Sequence, residues 1–99
     1  MDVIVGLDLG TTACKVTVVR SDLTTKSVSS SPYGISAPQR GWAEQDPLGW
    51  GRAVDATLLH ALDAAGVGRG DGIALSITGQ MHSSVLLDGG GHPLRPAIL

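Results

Sequence analysis

Two runs rich in β-branched residues, Val3-Ile4-Val5-Gly6-Leu7 and Val16-Thr17-Val18-Val19, flank a short polar turn. Segments of this kind so close together pair as an antiparallel hairpin, here predicted as strands over residues 3–9 and 14–20. The turn region carries Asp8, Gly10, Thr11, Thr12 and Lys15. Glycine lets backbone N–H groups approach an anion closely, threonine hydroxyls add donors, and lysine adds charge. A carboxylate at the strand end, Asp8, suits hydrated Mg²⁺. Together these residues suit the phosphates of a nucleotide. The turn is not a Walker A loop, which needs Gly-Lys-Ser/Thr leading into a helix. The same residues also suit an ordinary surface hairpin in which glycine and threonines only serve turn geometry.

Downstream, Ser21 to Thr25 reads as a turn, and Lys26 to about Ile35 as a third antiparallel strand of low apolar content, interrupted by Pro32. Residues 36–45 read as loop, set by Pro38 and Gly41. Asp46 and Pro47 then signal a helix start, as N-cap and first helical residue. Trp50, Val54, Thr57, Leu58, Ala61 and Ala65 recur at three- and four-residue steps and mark one apolar face; Arg52, Asp55 and Asp63 fall on the other. Gly66 is the expected C-cap. Ile73-Ala74-Leu75-Ser76-Ile77 reads as a buried strand parallel to its neighbour after the helical crossover. Ser83 to Leu87 reads as a further strand, and Asp88-Gly89-Gly90-Gly91 as a turn.

A second polar group, Gly79-Gln80-Met81-His82-Ser83, follows the buried strand. Ligands collect at the carboxyl ends of strands in open α/β sheets. Gln80 and His82 offer neutral hydrogen-bonding groups and Met81 an adaptable apolar wall, a combination suited to a polyol. By themselves these residues read more readily as a loop histidine beside a core methionine. Trp42 reads as a packing residue before the helix and Glu44 as a solvated charge near its N-terminus; His60 and His92 read as structural or solvent-facing. No His, Cys and carboxylate set has metal-ligand spacing.

Composition narrows the class. The chain has 99 residues, 42% of them apolar and 16% charged, enough for one small globular domain. A net charge of −2 without a basic run gives no reason to expect nucleic acid or an acidic membrane as partner. The apolar stretches are too short for a membrane helix, and no basic segment precedes an apolar one at the start, so no leader is expected. The single cysteine, Cys14, excludes an internal disulfide, fits a reducing cytosol and is expected to be a small buried hydrophobe. The closing run Pro96-Ala97-Ile98-Leu99 is apolar, which predicts a piece of a longer protein.

Asp8-Leu9-Gly10-Thr11-Thr12-Ala13-Cys14-Lys15 resembles the first phosphate motif of the actin, Hsp70 and sugar kinase superfamily. Gly41-Trp42-Ala43-Glu44-Gln45-Asp46-Pro47 resembles the segment that precedes the first helix of FGGY carbohydrate kinases. Gly79-Gln80-Met81-His82 resembles the xylulokinase signature whose Met-His pair lines a pentulose site, and the stretch from Leu87 to Leu99 resembles the same continuation. The resemblance covers nearly the whole chain.

It implies an α/β, ribonuclease-H-like N-terminal lobe, incomplete here: an antiparallel three-strand meander, a helix, then further strands. Residues 1–99 would be the N-terminal part of the first of two domains. It further implies transfer of the γ-phosphoryl group of ATP to D-xylulose. Asp8 would hold Mg²⁺ through water; Gly10, Thr11, Thr12 and Lys15 would approach the β- and γ-phosphates; Gln80, Met81 and His82 would orient the sugar. Asp8 and His82 would open onto a common cavity. The general-base aspartate of such kinases lies beyond residue 99, so no turnover is expected from this stretch alone. The implied partners are sugar and ATP, without nucleic acid or membrane; the resemblance also implies a cytoplasmic full-length protein able to form a homodimer. Alternatives are an FGGY kinase for ribulose, gluconate or glycerol, and a nucleotide-binding module of the actin or Hsp70 type.

Overall fold

A computed structural model describes residues 1–99. The predicted hairpin forms β1 (Val3–Leu9) and β2 (Ala13–Arg20), paired antiparallel in the register Val5↔Val18, Leu7↔Val16 and Leu9↔Cys14. The third strand, β3 (Thr25–Pro32), joins the far side of β2 and stops at Pro32 rather than near Ile35. The two-residue strand β4 (Glu44–Gln45) precedes helix α1 (Pro47–Ala64), and β5 (Ile73–Gly79) follows it. β5 pairs parallel with β1, giving the sheet order β3-β2-β1-β5. Three antiparallel strands, a helical crossover and a parallel fourth strand are the expected order.

Period-two alternation decides which face is covered. Val3, Val5 and Leu7 of β1 and Cys14, Val16 and Val18 of β2 lie on one face and are buried, together with Ala61 of α1 and Ala65 just after it. The serine-rich β3 continues this face. Ser27, Ser29 and Ser31 sit beside Val18, Val16 and Cys14 and are half-buried. Two of the three bond the helix: the Ser27 hydroxyl donates to the Ala61 carbonyl at 2.7 Å, and Thr57 Oγ1 lies 2.6 Å from Ser31 Oγ. Small, hydroxylated residues thus let α1 lie close on the outer part of the sheet.

The helix ends follow their sequence signals. The Asp46 side chain accepts from the Leu48 N–H at 3.0 Å, with Pro47 beginning the helix. At the other end Ala65 is the C-cap, and Gly66 takes the next position at φ 73°. Gly66 N–H donates to Asp63 and Val67 N–H to Leu62, a Schellman closure that needs the left-handed glycine.

Three expectations are corrected. β5 is not buried: Ile73, Leu75 and Ile77 are 49%, 50% and 63% exposed, because α1 packs over β2 and β3 and β5 is an edge strand. The region 36–45 is not wholly loop, since β4 pairs with β6 (Ala97–Ile98) and Ser36 bridges to Glu44. Ser83 to Leu87 forms no strand and makes only isolated bridges, Ser84 to Ile98 and Leu87 to Pro93. The apolar run at residues 96–99 therefore has a local use: Ala97 is fully buried against β4, and no helix of the chain is long and apolar enough to cross a membrane.

Candidate functional site

The turn joining β1 and β2 is closed by Gly10 N–H donating to the Ala13 carbonyl at 3.0 Å. Gly10 does not adopt a positive φ. Its smallness matters instead, because a Cβ there would stand 3.1 Å from the Ala13 carbonyl oxygen. The four carbonyls of residues 10–13 are all engaged by the protein. The Tyr33 hydroxyl bonds the Gly10 carbonyl and lies 3.0 Å from that of Ala13; the Tyr33 N–H donates to Thr12; Gln45 Nε2 donates to Thr11 at 2.6 Å. By contrast, the N–H groups of Thr11 and Thr12 donate to no protein acceptor. A turn with its acceptors occupied and its tip donors free is electrostatically suited to an anion. This also fits the group the turn was predicted to hold, a nucleotide phosphate.

Asp8, Lys15 and their neighbours lie on the sheet face opposite α1. In register, Lys15, Asp8 and Thr78 form one row across β2, β1 and β5, and Thr17, Gly6 and Ser76 form the next. These residues and Leu7 line an open depression of about 330 Å³. Gly6 makes its floor, since a Cβ there would meet nothing within 4 Å. Asp8 and Lys15 are exposed and form no ion pair with each other, so both charges are free for a ligand. No three His, Cys, Asp or Glu residues cluster in the chain, which excludes an all-protein metal cage among them. One carboxylate with water is instead the donor set typical of Mg²⁺ beside a phosphate.

The loop of residues 80–82, predicted to hold a polyol, leaves the same end of the sheet, since Leu9 of β1 and Gly79 of β5 are direct neighbours. Gln80 is half-buried, whereas Met81 is 79% exposed and His82 is exposed. His82 holds a positive φ of 61°, unusual for a residue with a side chain. The expected cavity shared by Asp8 and His82 is not formed. Asp8 lines the depression; Met81 and His82 line none, because no element of these 99 residues packs over the loop after edge strand β5. What joins the two groups is a side chain that the sequence reading left without a role. Gln45 bonds the turn at Thr11 and, through Oε1, accepts from Gln80 Nε2 at 3.2 Å and Trp50 Nε1 at 3.0 Å.

Gln45 and Tyr33 carry no local signature, since apart from Trp50 their side-chain partners lie 20 to 35 positions away. Glu44 is likewise not solvated as expected: it is 8% exposed and paired with Arg95. Trp42 is only part-covered, at 48% exposure, and lines a groove with Glu44, Arg95, Ile98 and Leu99. Cys14 is a buried small group as expected, and burial pushes its thiol pKa up against a weaker opposing hydrogen bond from Thr57. Burial also pushes the Tyr33 phenol up.

Comparison with known proteins supplies the context. Residues 3–99 match the model of the N-terminal domain of the FGGY family of carbohydrate kinases. The chain is 35% identical over its whole length to a xylulose kinase of Staphylococcus xylosus and 36% identical over 97% of its length to a glycerol kinase of Azotobacter vinelandii. In each case it spans about a fifth of the relative, 20% and 19%. It superposes on the crystal structure of xylulose kinase from Rhodospirillum rubrum with a TM-score of 0.87 at 37% identity, covering 97% of this chain and 20% of that one.

Proposed function

The chain belongs to the FGGY family of carbohydrate kinases, and on that premise we propose that its 99 residues begin the first of two domains of a kinase that transfers the γ-phosphoryl group of ATP to D-xylulose. The fold is that of the actin and Hsp70-like sugar kinases, and a phosphotransferase parent follows from the relatives. The observation that carries the site is the turn at residues 10–13, with every carbonyl engaged and the Thr11 and Thr12 amides free.

Phosphoryl transfer asks for positioning and charge neutralisation more than for covalent chemistry. The Thr11 and Thr12 amides and Lys15 donate to the terminal phosphates; Asp8 would hold Mg²⁺ through water. Mg²⁺ held there would supply charge neutralisation for the phosphates. Gln80, Met81 and His82 orient the sugar hydroxyl. Asp8 is not the base, because a carboxylate serving a cation is not free to take a proton. The base belongs to the longer protein, so these residues alone do not turn over. The reaction belongs in the cytosol, where the lone thiol Cys14 stays reduced.

A second reading, a kinase for glycerol or gluconate, is favoured by the 36% identity to glycerol kinase and by the gluconate kinase of Lactobacillus acidophilus among the structural neighbours, TM-score 0.85 at 29% identity. Coupled ADP-release assays of the full-length protein with D-xylulose, ribulose, glycerol and gluconate separate the readings. The highest kcat/KM is expected with D-xylulose; a higher value with another polyol overturns the substrate, and ATP binding without any phosphoryl transfer overturns the kinase.

A further inference from the structure

We propose that Gln45 is a positioning residue that couples the loop after β5 to the phosphate turn between β1 and β2, an inference that rests on the kinase reading above. Gln45 is 3% exposed. Its Nε2 donates to the Thr11 carbonyl at 2.6 Å, and its Oε1 accepts from Trp50 Nε1 at 3.0 Å and Gln80 Nε2 at 3.2 Å. The orientation of this amide is fixed by chemistry. An indole N–H only donates and a peptide carbonyl only accepts, so rotating the amide would oppose donor to donor and acceptor to acceptor.

Consequences follow at both ends. Because Gln45 offers an acceptor to Gln80, Gln80 must present its nitrogen, and its own carbonyl oxygen accepts from no protein group. That oxygen remains for a sugar hydroxyl. At the far end, Gln45 holds the carbonyl of Thr11, the residue whose amide is free. Trp50 anchors the relay to the first turn of α1, so a shift of Gln80 cannot be absorbed by drift of Gln45 alone. Sugar at the β5 end thereby sets the donors offered to the phosphates. This is coupling between two sites through one rigid, buried group.

The test uses the full-length kinase and a non-hydrolysable ATP analogue, with affinity measured with and without D-xylulose. In the wild type the sugar tightens analogue binding by about fivefold or more. Gln45→Glu keeps the side-chain volume and the acceptors but sets an oxygen against the Thr11 carbonyl; Gln80→Leu cuts the other end. Read at saturating D-xylulose, both are expected to bring the coupling factor close to one, and Gln80→Leu to do so with an unchanged melting temperature, since Gln80 is only half-buried. A merely structural role would lower stability and leave the factor alone. The inference is overturned by a wild-type factor of one, or by a factor that survives in both variants. Failure of the kinase reading looks different: no polyol is phosphorylated by the wild type. The link is then read by hydrogen exchange, where faster exchange at residues 10–13 in Gln80→Leu supports it and identical exchange overturns it.

Discussion

Removing one oxygen tests whether the phosphate turn is held from behind. In Tyr33→Phe the ring and its packing remain, but the hydroxyl between the Gly10 and Ala13 carbonyls is lost. The Ala13 carbonyl keeps the Gly10 N–H at 3.0 Å, whereas the Gly10 carbonyl loses its protein donor. An abandoned buried acceptor costs about 1–3 kcal/mol. Gly10 is only half-buried, so water reaches part of that oxygen and the cost is near the lower end, about 1 kcal/mol. If the turn relaxes when unliganded and must be restored by ATP, this energy is subtracted from nucleotide binding, a factor of about five. Coupled assays on the full-length kinase should therefore show KM for ATP raised about fivefold with KM for the sugar unchanged. Wild-type KM for ATP in Tyr33→Phe would refute the claim that the carbonyl bracing shapes the site.

Asp8→Asn keeps size and hydrogen bonding but removes the charge intended for Mg²⁺, so kcat should fall by about a hundredfold or more while equilibrium sugar binding changes little; a Mg²⁺ titration of activity checks the cause, since the variant should need more metal. His82→Ala should raise KM for the sugar with KM for ATP unchanged, and His82→Val should in addition lower the melting temperature, because a β-branched residue resists the φ of 61°. Alkali should destabilise the fold in two steps. Burial holds the Cys14 and Tyr33 protons above their ordinary pKa values of 9.0 and 10.0, so the folded chain keeps protons that the unfolded chain releases. This stabilisation is complete below pH 9 and is lost as pH rises beyond 9 for Cys14 and 10 for Tyr33. Urea unfolding against pH should show a shallower alkaline decline in Cys14→Ala and Tyr33→Phe, and an unchanged slope in both would contradict it.

The elements whose determinants are local were legible from sequence. β-Branched runs around a polar turn specified a hairpin over residues 3–9 and 14–20, and Asp46, Pro47 and Gly66 bounded the helix, because strand runs, caps and turns act over a few residues. The turn between β1 and β2 was placed for the same reason. Tertiary structure decided what spans the chain. The polarity of β3 became intelligible only once Ser27 and Ser31 met α1, and the apolar Ile73, Leu75 and Ile77 proved uncovered only once α1 was seen over β2 and β3, at the other end of the same face. Gln45 and Glu44 lay in a stretch that read as loop, yet pairing with Ala97 and Ile98 buries them and brings Gln45 between Thr11 and Gln80. Hydrogen-bond partners tens of residues apart leave no periodicity in the chain; only the folded geometry brings them within three ångströms or so of each other.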